Sequence, residues 1–148
     1  MTGQSRLFTR RKALLIVLGC GLLLLLLVAL RGGLFHMAPD VSTAAGRCQY
    51  LRQLGWEVDP ASEEETLVTL PMHLEGSMLA YNDMQRTQGY DLNRHLGERC
   101  RVYSYRLSNY PDQDQIVLAT LYVQGRRVIA GDIHSTALDG FMHSLLRK

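Results

Sequence analysis

The sequence predicts an α+β protein in which an N-terminal transmembrane helix precedes a small domain. In that domain an antiparallel sheet, a meander of three strands plus a short strand, is packed by about three helices. Three observations carry this expectation. Residues 13–30 form an uncharged apolar run of 18 residues. Three strand-like runs follow one another near the C-terminus, separated by turn signals at Pro111 and Gly125. Apolar residues recur at helical spacing behind cap residues at Thr43 and Thr136. Consecutive strands joined by short turns pair antiparallel, and helices with one apolar stripe must cover a sheet to bury it.

The first element is the apolar run. At about 1.5 Å of rise per residue it covers roughly 27 Å, close to the hydrocarbon thickness of a bilayer. Gly32 to Phe35 extend it to 13–35 if Arg31 reaches back to the interface. Arg6, Arg10, Arg11 and Lys12 precede the run and Arg31 follows it. This bias predicts residues 1–12 in the cytoplasm and the remainder outside the cell membrane, as a single-pass signal anchor. A cleaved signal peptide would need a shorter run and a nearer small-residue site. A lipobox at Val17-Leu18-Gly19-Cys20 would need a polar tether after Cys20, where leucines follow instead.

Residues 36–41 read as a linker, and the domain occupies 42–148. A first helix runs from Ser42 or Thr43 to Leu54, with Ala44, Cys48, Leu51 and Leu54 inward and Arg47 facing water. Gly55 ends it. Residues 66–70 form a short strand stopped by Pro71. A second helix spans 74–87, with Met78, Leu79, Tyr81 or Asn82, and Gln85 on its face, and Gly89 closes it. The meander strands are expected at 99–109, 116–124 and 127–133, with a tight turn at Gly125. A final helix is expected from Thr136 to Leu146, its apolar face made of Leu138, Phe141, Met142 and Leu145.

The net charge of +2 divides unevenly. Four of the 16 basic residues lie before the apolar run, so the remaining twelve face all 14 acidic residues and the rest of the chain carries −2. A near-neutral domain has no electrostatic attraction to a phosphate backbone, which excludes nucleic acid as the expected partner. The expected partners are the lipid bilayer, through 13–35, and an envelope protein or peptide. No cofactor is implied.

The candidate sites are few. His134, Asp139 and His143, with Asp132 nearby, are the one metal-like set, since Asp139 and His143 are four apart on the expected final helix. Asp139 has a simpler role there, in a capping box opened by Thr136. Asp132, His134 and Ser135 invite a triad, but neighbours on a strand point to opposite faces, so His134 and Ser135 diverge. Cys48 and Cys100 lie on the exported side and are candidates for a disulfide between helix and sheet. Seven tyrosines suggest a peptide- or glycan-binding face, for which Tyr103, Tyr105 and Tyr110 are candidates. The function expected is a membrane-tethered, non-catalytic binding or envelope-associated module. The alternative is an exported hydrolase or metal-dependent enzyme using the His134 to His143 cluster.

Four segments carry a resemblance. They are Leu54-Gly55-Trp56-Glu57-Val58; Tyr81-Asn82-Asp83-Met84-Gln85 with Gln88-Gly89-Tyr90-Asp91-Leu92; Asn109-Tyr110-Pro111; and Gly131-Asp132-Ile133 through Ala137-Leu138-Asp139-Gly140-Phe141-Met142. The stretch from about Tyr50 to Leu145 resembles domain of unknown function family 4830, of membrane-anchored or exported proteins in Gram-positive bacteria. The resemblance implies location and fold rather than chemistry.

Overall fold

The computed structural model describes Gly21, Leu23, Leu26, Leu27 and residues 39–111 and 115–147. The chain divides into two units, Met1–Ala38 and Pro39–Lys148. In the first, the four described residues are helical, and their side chains are exposed. The anchor flank of Arg10, Arg11, Lys12 and Arg31 lies outside the described residues, as does most of the apolar run. Among the described residues no helix is long and apolar enough to cross a membrane.

The second unit is built on one antiparallel sheet in the order β1-β2-β3-β4-β5. Its strands are β1 (Glu64–Thr69), β2 (Arg99–Arg106), β3 (Val117–Gln124), β4 (Arg127–Ser135) and β5 (Met142–Ser144). Two α-helices accompany them, α1 (Ala44–Gln53) and α2 (Ser77–Arg86), with 3-10 turns at Pro60–Ser62 and Leu92–His95. The expected fold class therefore needs two corrections. The described residues hold no helix long and apolar enough to cross a membrane, and among those of the domain there are five strands and two α-helices rather than about three helices on a smaller sheet.

The missing third helix explains itself. Residues 136–146, expected to be helical, form a tight turn closed by Ser135 N–H to Phe141 O, followed by β5. Phe141, His143 and Leu145 recur at a period of two, and Phe141 and Leu145 both pack on the core that Ile133 joins. Pairing with β4 along Asp132↔Ser144, Ile133↔His143 and His134↔Met142 satisfies backbone groups that a helix would have satisfied internally. The helical pattern of Leu138, Phe141, Met142 and Leu145 is thus incidental, and Leu138 is fully exposed.

The sheet carries a core on each face. Tyr103, Tyr105, Val117, Ala119, Leu121, Val123 and Ile133 meet Cys48 and Leu51 of α1, with Trp56 and Leu145, in the first. Cys100, Ile129 and Ala130 meet Leu70, Leu74 and Leu92, with Met78 and Tyr81 of α2, in the second. Alternation along the strands assigns the two sets to opposite faces. A bulge between Tyr122 and Val123, opposite Val128 and Ala130, leaves Ile129 unpaired and lets Ile129 and Ala130 enter the second core together. The connection between β3 and β4 is a two-residue turn, Gly125-Arg126, with Gly125 at φ 58° and no positive φ at Arg126. That is the type II′ turn, which suits the twist of a hairpin.

α1 begins as expected: Thr43 caps it, accepting from Gly46 N. Arg47, expected to face water, is buried instead. Its guanidinium donates to Tyr105 Oη at 2.8 Å, to Val41 O at 3.1 Å and to both oxygens of Glu63 at 2.8 and 2.9 Å. It also lies 3.5 Å from the centre of the Tyr103 ring. Tyr105 in turn donates to Glu63. Burial of an ion pair this close is tolerated because each donor has a partner.

α2 is held against β4 and the residue after β5 by side-chain amides. Gln85, fully buried, donates Nε2–H to Gly131 O and accepts from Gly131 N, both at 2.9 Å. It pairs with the edge of β4 as another strand would. Gln88 Nε2 also donates to Gly131 O, at 3.1 Å, and Gln88 Oε1 accepts from Leu145 N at 2.8 Å. Position 131 must be glycine for this. A Cβ there would lie 2.5 Å from Leu145 Cδ1 and 2.7 Å from Thr120 O. Asn82 fixes the other side of α2, accepting from Leu92 N at 2.7 Å and donating to Asp91 at 3.2 Å.

Candidate functional site

Two arrangements on the sheet bear on function: an aromatic cavity beside β5, and a polar cluster on the opposite face. The cavity is assembled by backbone staples. Asn109 Nδ2 donates to Gly55 O at 3.0 Å, Asn109 Oδ1 accepts from Glu57 N at 3.0 Å, and Ser108 N donates to Glu57 O at 2.9 Å. These bonds lay Tyr110 on Trp56, with ring centroids 5.9 Å apart and planes within 15°. Phe141 stacks on the same Tyr110 at 5.1 Å, and His143 stacks on Phe141 at 5.6 Å. Trp56 is anchored by its indole N–H, which donates to Leu145 O at 2.6 Å. Stacked geometries of this kind contribute beyond area burial and hold rings rigidly.

The resulting cavity is about 620 Å³ and is lined by Trp56, Tyr110, Met84, Met142, Leu146 and Arg147, among others. Its size suits a small ligand or a few residues of a peptide. His143 presents a fixed ring. Its Nδ1–H donates to Ser144 O at 2.8 Å, so the neutral ring's Nε2 accepts from Tyr110 Oη–H at 3.2 Å. Arg147 stands 5.1 Å above the Trp56 ring, and its Nη1 donates to Gly55 O at 2.7 Å. Among the described residues lining the cavity none is acidic.

On the other face, Asp132 is buried and its carboxylate accepts from two sides. His134 Nδ1 is 2.7 Å from Oδ1, and Tyr81 donates to Oδ2 at 2.7 Å. A carboxylate only accepts, so the proton lies on His134 Nδ1. This hydrogen bond raises the His134 pKa, against the opposing effect of burial. Burial, with the nearby Asp132 charge, likewise pushes the Tyr81 hydroxyl well above its ordinary range. Ser135 points to the first core's side and donates to Gln115, away from His134. The three residues make no triad.

The remaining sequence candidates are dispersed. His134 pairs with Met142 across β4 and β5, while His143 pairs with Ile133, so the two histidines lie on opposite faces of the sheet. Asp139 is exposed in the turn and caps no helix. His134, Asp139 and His143 are therefore not brought together, and no group of three potential metal ligands occurs among the described residues. The enzyme alternative built on that cluster loses its geometry. Cys48 and Cys100 are both free and buried, one in each core, with the sheet between them. Burial raises both thiol pKa values. Tyr103 and Tyr105 are core residues with almost no exposure, and of the three expected surface tyrosines only Tyr110 lines the cavity. Trp56, Met84, Phe141 and Arg147 were not singled out by sequence as site residues. The available signal was that Leu54–Val58, Asn109–Pro111 and Phe141–Met142 carry the family resemblance, and all three segments converge on this cavity.

Comparison with curated proteins and with solved structures gave no match. The family comparison matched residues 50–133, more than half of the chain, to Domain of unknown function (DUF4830). The match begins at the end of α1 and takes in the Gly55–Trp56 and Asn109–Tyr110 staples, α2 and most of β4. The chain is a member of the DUF4830 family.

Proposed function

We propose that this chain is a membrane-tethered extracytoplasmic module that binds a partner through the cavity beside β5 and performs no catalysis. One observation carries the reading: a cavity of about 620 Å³ walled by a rigid aromatic stack and bordered by exposed Met142 and Leu146. Rigid aromatics and adaptable methionines are the side chains that dominate binding surfaces. The tether is the apolar run within 13–35, with the basic residues before it held in the cytoplasm. The bilayer is then one partner, and an envelope protein or peptide the other. A photoreactive residue placed at Met142 in the full chain, in native membranes, tests the binding role. The control site is Leu67 on β1, at the opposite edge of the sheet. A discrete adduct at Met142 and none at Leu67 is expected; equal or absent labelling at both sites removes the cavity as the contact.

A further inference from the structure

We infer that the cavity receives the carboxyl-terminal end of a hydrophobic peptide, which adds as a strand to the open edge of β5. This rests on the reading of the domain as a binding module and gives its partner a chemistry. Three independent features of the site agree.

The first is the backbone. Ser135 N–H donates to Phe141 O, and the register pairs Ile133 with His143. In an antiparallel ladder, hydrogen-bonded and non-bonded pairs alternate. Ser135–Phe141 and Ile133–His143 are therefore the bonded pairs, and Met142 and Ser144 turn their backbone N–H and C=O away from β4, the Ser144 C=O already accepting from His143 Nδ1. Both residues line the cavity, and β5 is the last strand of the sheet. Gln85 and Gln88 close the neighbouring edge only at Gly131 and Leu145. A strand edge beside an apolar pocket is the arrangement that extended peptides exploit, with main-chain bonds for affinity and the pocket for side-chain choice.

The second feature is the pocket wall. Trp56, Tyr110, Met84, Met142 and Leu146 offer aromatic and flexible apolar surface suited to one large apolar side chain. The third is charge. Arg147 lies at the wall with one nitrogen bonded to Gly55 O, which leaves other guanidinium N–H groups to donate. No acid faces it among the described lining residues. A guanidinium beside an apolar pocket favours an anion attached to an apolar body. A peptide's terminal carboxylate, next to a large apolar side chain and an extended backbone, meets all three features at once.

The test uses the full chain in lipid nanodiscs and reads the fluorescence of Trp56, the single tryptophan of the chain. The probes are acetyl-Ala-Ala-Ala-Phe as the free acid, the same tetrapeptide as its amide, and acetyl-Phe. The acid should bind about tenfold tighter than the amide, the scale of one charge-assisted hydrogen bond. It should also bind several-fold tighter than acetyl-Phe. Arg147→Gln should bring the acid down to the amide's affinity and leave the amide unchanged. Equal binding of acid and amide would overturn the inference, as would an Arg147→Gln loss common to both, or no binding by any probe. Acetyl-Phe binding as tightly as the tetrapeptide would also overturn it, because a small-acid cavity would then explain the site without strand addition. If these probes fail while the Met142 adduct persists, the peptide-end proposal falls and the binding module stands.

Discussion

Gln85→Leu is the substitution that most directly probes how the sheet edge is closed. The side chain is fully buried and pairs with both backbone groups of Gly131 at 2.9 Å. Leucine has similar bulk and keeps the helix, so the change isolates the polar pairing. Gly131 O retains Gln88 Nε2 at 3.1 Å, but Gly131 N–H loses the partner it has in Gln85. A buried donor left unmade costs about 1–3 kcal/mol, and the added apolar burial offsets part of that. The expected net loss is about 2 kcal/mol. At a urea dependence of about 1–3 kcal/mol per molar, the unfolding midpoint should fall by roughly 1 M. The assay is urea unfolding of a fragment starting at Pro39, followed by the fluorescence of buried Trp56. Arg86→Gln, on the exposed side of the same helix, is the silent control. A Gln85→Leu unfolding free energy within about 0.5 kcal/mol of wild type would refute the reasoning, because it would mean that water satisfies Gly131 as well as the amide does.

Four further outcomes follow from the same contacts. Arg47→Ala strands Glu63 and Tyr105 beside a void and should cost about 3 kcal/mol or more by the same urea assay. Gly131→Ala drives a methyl group against Thr120 O, a backbone atom that cannot swing aside, and should cost about 1–3 kcal/mol. Gly125→Asn, with open space around it, should still cost about 1–2 kcal/mol because the first position of the β3–β4 turn has a positive φ of 58°. His134 binds its proton more tightly in the folded state because Asp132 accepts from Nδ1. The pair's stabilisation is therefore full below the ordinary value of 6.5 and disappears as pH rises through the higher folded value. Stability measured from pH 6 to 9 should fall in wild type relative to His134→Gln, and parallel curves would reject the assignment. An alkaline phosphatase fused after Lys148 should be active in cells, and an inactive enzyme with a fluorescent protein glowing at the same place would reverse the proposed orientation.

The residues that resisted a sequence reading share one property: their partners are distant in the chain. Gln85 looked like a lesser member of a helical stripe, and only the fold sets Gly131 against it. Arg47 looked like a solvated charge on α1, because nothing nearby in sequence announces Glu63 and Tyr105 as its partners. Cys48 and Cys100 looked bridgeable until the sheet was found between them. The cavity itself is drawn from residues 56, 84, 110 and 141–147, which no local pattern joins.

By itself, the sequence determined what local physics controls. The Thr43 cap and Gly55 stop set α1, β-branched runs set β2 to β4, and Gly125 set the turn between β3 and β4. Those features depend on dihedral preferences and on alternation within a few residues. Tertiary structure decided the rest, most plainly at residues 136–146. There the same side chains fit a helical period or a strand period. The unsatisfied edge of β4 settled the choice, because Phe141 and His143 complete its hydrogen bonds while the side chains of Phe141 and Leu145 reach the core.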